Sequence, residues 1–148
     1  MQKKKIVIAS DHAGFELKSY LITVLKETGY TVLDLGPSDA TPLDYPDKAK
    51  ALAETLKQNL ADKGILICGT GIGMSIAVNR FPYVRGALVF TPEMATLSRQ
   101  HNDSNVLILG ARTTTTETAV ACMQAFLKAN FEGGRHEKRV AKLGGLSC

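Results

Sequence analysis

The sequence predicts an α/β sandwich built on a doubly wound, five-stranded parallel sheet, with a further helix at the C-terminal end. Two observations lead to this fold class. Short runs are apolar on successive residues, as expected of strands that are buried on both faces of a parallel sheet. Segments with apolar residues at helical spacing lie between these runs, and such alternation indicates right-handed βαβ units.

Each predicted element rests on its own stretch of sequence. The predicted strands are KIVIAS at 5–10, TVLDLG at 31–36, GILICG at 64–69, GALVF at 86–90 and NVLILG at 105–110. The helical stripes are Leu17, Leu21, Val24 and Leu25; Ala49, Leu52, Ala53, Leu56 and Leu60; and Ala119, Val120, Met123 and Leu127. Residues 75–79 and 93–100 fit shorter helices, and 133–145 fits a short basic helix. The irregular segment 36–47 is expected over the carboxyl edge of the sheet.

Composition narrows the class of partner. A length of 148 residues suits one domain, 1–148, and 45% hydrophobic with 22% charged residues is typical of a globular protein. The net charge of +4 favours anionic partners, but the sequence has no dense Lys/Arg block and only 6% aromatic residues. These features disfavour nucleic acid and fit a small phosphorylated metabolite.

The apolar runs and the cysteines indicate the cellular compartment of the protein. The first apolar run stops at Ser10, short of the about 7–15 apolar residues of a signal peptide, and no segment approaches the about 20 residues that span a bilayer. We therefore expect no membrane partner. Cys68, Cys122 and Cys148 form no C-x-x-C pair, which argues against a disulfide framework and predicts a reducing, cytoplasmic location. Cys122 and Cys148 are interpreted as structural.

Polar side chains with acid–base or anion chemistry follow each predicted strand. Because ligands of open parallel sheets bind at the carboxyl ends of the strands, we expect the site at this edge. The residues in question are Asp11 and His12, Asp44 and Tyr45, Cys68 with its glycine loop, Thr91, and Arg112.

The loop after the third strand has glycines with G-x-G-x-G spacing, at Gly69, Gly71 and Gly73. This spacing fits neither a Walker loop nor a dinucleotide loop. Two interpretations remain. Backbone N–H groups at a helix N-terminus could hold a phosphate or a developing oxyanion, or the glycines could simply permit a tight turn and close packing.

Cys68 is either a small buried hydrophobe or a nucleophile and proton carrier activated by the adjoining helix. The flanking glycines and the facing Asp11 and His12 favour the second interpretation. Asp11 could also cap the first helix. A charged histidine gains nothing from the positive end of a helix, so His12 makes more sense as an anion contact or an acid–base group.

His101 and Asn102 belong to the polar segment SRQHNDSN, in which Asn102 could form a left-handed helix cap. Because His101 precedes a strand, it should lie at the amino edge, opposite the expected site. His101 is therefore either structural or supplied to the site by a second subunit.

Arg135 and Arg139 are spaced i, i+4 on the terminal helix and could grip a phosphate together. The alternative is a solvated basic face, which we expect for Lys138 and Lys142. His136 is expected to face solvent.

Five motifs in order, DHAGF, DYPD, CGTGIGMSIAVNR, SRQHND and EGGRHEKRV, closely resemble the type B ribose-5-phosphate isomerases of the ribose/galactose sugar-phosphate isomerase family. The resemblance covers nearly the whole chain. It implies a Rossmann-like α/β/α fold, a homodimer or a dimer of dimers with the site shared between subunits, and neither metal nor cofactor. The implied reaction interconverts ribose 5-phosphate and ribulose 5-phosphate, in the pentose phosphate pathway, through an enediolate.

The resemblance also implies roles for individual residues. Cys68 corresponds to the base that moves a proton between C2 and C1, and Met74 stands where a cysteine-lacking branch of the family has a glutamate. His101, aided by Asp11, corresponds to the ring-opening acid–base group, and Asn102 to a substrate contact. The remaining correspondences are Thr70, Gly69, Gly71 and Gly73 as the anion hole, His12, Arg135, Arg139 and Arg112 as phosphate or basic contacts, and Tyr45 beside the sugar.

Two alternatives stay open at this point. The same apparatus could isomerise galactose 6-phosphate or allose 6-phosphate. A non-catalytic phosphate-binding module would bind its ligand without turnover and would be indifferent to Cys68→Ala.

Overall fold

The computed structural model describes residues 4–146, so Cys148 lies outside the described part of the chain. Its five strands are β1 (Lys5–Ser10), β2 (Thr31–Asp34), β3 (Lys63–Cys68), β4 (Gly86–Leu88) and β5 (Val106–Gly110). They form one parallel sheet in the order β2-β1-β3-β5-β4. The predicted five-stranded parallel sheet is confirmed.

Six helices connect and follow the strands. They are α1 (Phe15–Glu27), α2 (Tyr45–Lys57), α3 (Ile72–Val78), α4 (Pro92–Asn102), α5 (Thr116–Lys128) and α6 (Arg135–Gly144). A short 3-10 turn, His12–Gly14, precedes α1. Within residues 4–146, none of the helices combines the length and the apolar character needed to cross a membrane.

The helices cover both faces of the sheet, which explains why β1 is apolar at successive positions. Ile6 and Ile8 pack in one core cluster with residues of α1, α4 and α5. Val7 and Ala9 point the other way and pack with residues of α2 and α3. The result is the predicted three-layer α/β/α sandwich, with α6 as the additional C-terminal helix.

The strand order brings three potential site segments together. β3 lies between β1 and β5, with Ser10 in register with Ile67 and Cys68 in register with Gly110. The segments that leave β1, β3 and β5 at their carboxyl ends are therefore neighbours. Arg112 lies in the segment that follows β5, and because β5 pairs with β3, this segment runs beside the turn that follows Cys68.

Several elements begin or end at other residues than predicted. β2 ends at Asp34 rather than at residue 36, although the Ser10 N–H still donates to the carbonyl oxygen of Gly36 at 3.1 Å. The edge strand β4 ends at Leu88 rather than at residue 90. α3 begins at Ile72, directly after the left-handed Gly71 with φ of 79°, rather than at residue 75.

Candidate active site

Cys68 is the last residue of β3, and its buried thiol lies under the glycine turn that leads into α3. The Gly71 N–H donates a hydrogen bond to the Cys68 Sγ across 3.2 Å. The following N–H, of Ile72, donates to Oγ1 of Thr70, also at 3.2 Å. The turn therefore presents a backbone N–H donor directly to the sulfur.

Two glycines of the turn are required on steric grounds. Gly71 has φ of 79°, and a Cβ there would lie 2.5 Å from Cδ1 of Leu88. A Cβ on Gly73 would lie 2.6 Å from Cζ of Tyr45. The structure therefore bears out the interpretation of tight turn and close packing, and the anion hole is an additional role that stays a prediction.

Tyr45 and Arg112 approach the same turn from two other elements. Tyr45 is the first residue of α2, is 38% exposed, and lays its ring against Gly73. The exposed Arg112 places its Nη1 3.2 Å from the position that a Cβ on Gly69 would take. Its backbone N–H donates to the Gly69 carbonyl oxygen at 2.8 Å, which fixes the segment that carries the guanidinium.

Asp11 and His12 lie at the carboxyl end of β1. Asp11 is 8% exposed, and its Oδ1 accepts a hydrogen bond from the Gly14 N–H at 3.1 Å, so its capping role is confirmed. The Leu43 N–H donates to Nδ1 of His12 at 3.3 Å. In a neutral imidazole this bond leaves the proton on Nε2, which is then the donor that His12 would offer to an anion.

His101 and Asn102 lie at the opposite edge of the sheet. α4 begins at Pro92, after β4, and its 11 residues carry the chain back by about 16 Å. The Asn105 N–H, just before β5, donates to the carbonyl oxygen of Arg85, just before β4, at 3.0 Å. The end of α4 is therefore at the amino edge, as the sequence predicts for His101.

The turn after α4 differs from the prediction in one residue. Asp103, with φ of 47°, takes the left-handed cap position, and Asn102 is the last residue of the helix. The Asp103 carboxylate accepts a hydrogen bond from Nη1 of Arg99 at 2.9 Å and lies 3.4 Å from Nη2 of Arg85. These two arginines hold the turn that follows the candidate residues of α4.

The expectation that His136 faces solvent is wrong. The residue is 9% exposed, and its ring stacks on that of His101, with centroids 4.4 Å apart and an interplanar angle of 13°. Burial of the His136 ring lowers its pKa, and the positive charges that His101 and Arg135 can carry lower it further. His136 therefore belongs to the site region rather than to the solvated face of α6.

Sequence reasoning missed His136 and also Glu132, whose Oε1 lies 3.5 Å from Nε2 of His101 and 3.9 Å from Nε2 of His136. A signal for His136 was available. It is followed at i+4 and i+7 by Val140 and Leu143, a spacing that places all three on one face of α6. The sequence offered no comparable signal for Glu132.

The predicted site residues thus fall into two groups on one chain. We call the first the thiol half-site: Asp11, His12, Tyr45, Cys68, Gly69, Thr70, Gly71, Gly73 and Arg112. The second, the histidine half-site, comprises His101, Asn102, Arg135 and Arg139, and three of these line a cavity of about 320 Å³ next to His136. Within residues 4–146, no hydrogen bond or ion pair joins His101 to Asp11, so the implied assistance does not form within one chain.

The relation to known proteins agrees with this architecture. The profile of the family described as Ribose/Galactose Isomerase matches residues 6–143. The chain belongs to this family. A probable ribose-5-phosphate isomerase B of Mycoplasma pneumoniae is 49% identical to it over 139 residues, which cover 93% of this chain and 91% of the relative.

Solved structures of family members share the fold over nearly the full length. A ribose 5-phosphate isomerase of Thermotoga maritima superposes with a TM-score of 0.95 at 46% identity, covering 98% of this chain and 100% of its own. Ribose-5-phosphate isomerase B of Mycoplasma genitalium, solved with bound ribulose-5-phosphate, has a TM-score of 0.93 at 44% identity, covering 98% and 97%.

Proposed function

We propose that this protein interconverts ribose 5-phosphate and ribulose 5-phosphate through an enediolate. The observation that carries the proposal is the Cys68 thiol, held 3.2 Å from a backbone N–H at the mouth of the glycine turn, in a chain of this family. The family member with bound ribulose-5-phosphate supports the choice of sugar.

The reaction moves one proton between neighbouring carbons, with no external oxidant or reductant. In the open-chain aldose, the C1 carbonyl acidifies the hydrogen on C2. The Cys68 thiolate takes this proton, the electron pair of the C–H bond forms a C1–C2 double bond, and the carbonyl oxygen becomes an oxyanion. The thiol then returns the proton to C1, while a hydroxyl proton passes between the two oxygens, and the ketose results.

The enediolate needs hydrogen-bond donors, which the turn after Cys68 supplies. We assign this role to Thr70 and to the backbone of Gly69, Gly71 and Gly73. Loss of one such donor typically costs about 3–4 kcal/mol of transition-state stabilisation. We therefore expect Thr70→Val to lower kcat by about 100-fold with a smaller effect on KM.

The basic groups of the two half-sites bind the substrate phosphate and open the sugar ring. Arg112, Arg135 and Arg139 provide the positive charge that a phosphate requires, at a distance from the reacting carbons, and His12 adds its Nε2 as a hydrogen-bond donor. The binding energy of the phosphate then orients those carbons. His101 acts as the acid–base group that opens the sugar ring, and Asn102 and Tyr45 contact the sugar.

Because the two half-sites lie at opposite edges of the sheet, we propose that they meet across a two-fold axis in a homodimer. His101 of the partner subunit would then face Cys68, and a dimer of dimers would keep this unit intact. Apolar side chains exposed on α3, after β4 and on α4 support an interface there: Ile72 at 54%, Ile76 at 56%, Phe90 at 46% and Met94 at 40%.

We also propose that residues 1–148 form one isomerase domain and that the protein works in the cytoplasm. The continuous sheet with a core cluster on each face supports a single domain. The free thiols of Cys68 and Cys122, both buried, fit a reducing compartment.

Activity is tested by adding ribose 5-phosphate in the presence of EDTA and following ketose formation. We expect turnover by the wild-type protein and a loss of at least 1,000-fold in kcat for Cys68→Ala, since the proton carrier is removed. Allose 6-phosphate and galactose 6-phosphate serve as comparison substrates. Absence of ketose from ribose 5-phosphate, or full activity of Cys68→Ala, would contradict the proposal.

The shared site is tested by mixing inactive Cys68→Ala and His101→Ala subunits. Random exchange should restore about a quarter of wild-type activity, because half of the dimers are mixed and each mixed dimer holds one intact site. A mixture of Cys68→Ala and Thr70→Val is the matched control, since both changes lie in the same half-site and no intact site can form. No recovery after demonstrated subunit exchange would rule out sharing.

A further inference from the structure

We propose that His101, Glu132 and His136 form a binding site for a zinc-type divalent transition-metal ion, and that its occupation inhibits isomerisation. The inhibition, but not the binding, rests on the proposed function. Two imidazoles and one carboxylate converge here from the end of α4, the segment before α6 and the first turn of α6.

The donor atoms already lie close together. The carboxylate Oε1 of Glu132 is 3.5 Å from Nε2 of His101 and 3.9 Å from Nε2 of His136. One donor atom from each residue lies within 4.8 Å of the others. Tetrahedral zinc with bonds of about 2.0–2.2 Å places its ligand atoms about 3.3 Å apart. The donor atoms must therefore close in by no more than about 1.5 Å.

Side-chain rotation can supply this movement without a change of fold. The side chains of His101 and Glu132 are 38% and 50% exposed, so both can turn toward an ion. The His136 side chain is 11% exposed and serves as the fixed ligand. The present stacking of the two rings must tilt, because nitrogen lone pairs lie in the ring planes.

The backbone holds the three positions relative to each other. The Glu132 N–H donates to the carbonyl oxygen of Gln100 at 3.0 Å, directly before His101. The His136 N–H donates to the carbonyl oxygen of Gly133 at 3.1 Å, and Gly133 and Gly134 turn the chain with φ of 67° and 55°. The fold therefore already fixes these backbone positions, so metal binding loses less conformational entropy than it would at a flexible segment.

The donor set selects the class of ion. Imidazole nitrogen suits zinc, copper, nickel and cobalt, whereas magnesium and calcium prefer oxygen ligands. Two histidines and one glutamate are a known zinc ligand set that leaves one coordination position open. Arg135 and Arg139 carry positive charge nearby, which weakens cation binding and argues for reversible occupation rather than a resident ion.

Occupation would remove His101 from catalysis. A bound metal ion takes the nitrogen lone pair that His101 needs in order to accept a proton. It also fixes the ring at the histidine half-site, where the sugar must be admitted. The ion would therefore lower kcat, whereas the proposed reaction itself requires no metal.

The test measures binding and inhibition separately on the intact protein. Binding is followed with Co²⁺ by its visible absorption and with Zn²⁺ by competition against a chromogenic chelator; activity is assayed with ribose 5-phosphate. The variants are His136→Gln and Glu132→Gln, and Mg²⁺ is the matched control ion. We expect one Co²⁺ per chain, inhibition by Zn²⁺ but not Mg²⁺, and at least 10-fold weaker metal binding in both variants.

Each result decides a different point. With each protein's rate measured relative to its own metal-free rate, at least 10-fold weaker Co²⁺ binding and Zn²⁺ inhibition in His136→Gln supports the site, and Glu132→Gln repeats the test should His136→Gln fold poorly. No Co²⁺ binding to the wild-type protein overturns the proposal. Equal inhibition of wild type and both variants also overturns it, and a thiolate charge-transfer band would then assign the ion to Cys68. Metal binding in a protein without isomerase activity would refute the proposed function alone.

Discussion

Replacement of Asp103 by Asn tests whether ion pairing holds the turn after α4. The Arg99 side chain is 9% exposed and pairs with Asp103, which is 33% exposed, at 2.9 Å. Breaking a fully buried pair costs about 3–5 kcal/mol, but here the partly exposed carboxylate and the retained bond from Arg99 to the Ser104 carbonyl oxygen reduce the cost. We expect a loss of about 2 kcal/mol in the free energy of unfolding, or about 4–8 °C in Tm.

The assay is urea unfolding followed by circular dichroism at a fixed protomer concentration, together with kcat. Asn tolerates the left-handed conformation as Asp does, so Asp103→Asn isolates the charge. Asp103→Ala adds a backbone cost of about 1 kcal/mol that Asp103→Gly avoids. We expect kcat to fall, because His101 and Asn102 directly precede the loosened turn. An Asp103→Asn protein within about 0.5 kcal/mol of wild type would refute the reasoning.

Three further changes have defined outcomes. Burial raises the pKa of the Cys122 thiol, so peptide mapping after alkylation at neutral pH should find Cys122 modified only on unfolding. A Cβ at Gly64 would lie 2.7 Å from Cδ2 of Leu52, so Gly64→Ala should cost about 1–3 kcal/mol in urea unfolding with kcat unchanged. The Lys18 and Asp34 side chains, paired at 2.9 Å, are 2% and 45% exposed. Asp34→Ala should therefore cost about 3 kcal/mol and Lys18→Met less than about 1 kcal/mol, and the reverse order would contradict this account.

The elements of the fold could be predicted because each follows from local pattern. A strand covered on both faces is apolar at successive positions, as residues 6–9 of β1, 65–68 of β3 and 106–109 of β5 are. The strand order could not be predicted, because it depends on which face each crossover takes rather than on any strand's own residues. The position of β5 beside β3, which brings Arg112 to Gly69, therefore emerges only in three dimensions.

Those parts of the candidate site that depend on local sequence were also predictable. Cys68 and its glycines occupy one contiguous turn, so the sequence shows their proximity directly. Glu132 meets His101 only because the segment before α6 folds back onto the end of α4, and the wrong expectation for His136 has the same origin. Asn102 and Asp103 are both residue types that tolerate positive φ. The pairing of Asp103 with two arginines, which the sequence does not display, decides between them.

The separation of the two half-sites follows from the βα unit itself. A helix that leaves a strand at the carboxyl edge must return the chain to the amino edge before the next parallel strand can begin. Cys68 is the last residue of β3, whereas His101 lies in the last turn of α4. The backbone therefore places the two residues at opposite edges of the sheet, whichever rotamers their side chains adopt. If the proposed roles of Cys68 and His101 hold, the reaction would therefore draw them from two copies of this chain. In this family, dimerisation would then complete the active site rather than merely stabilise the fold.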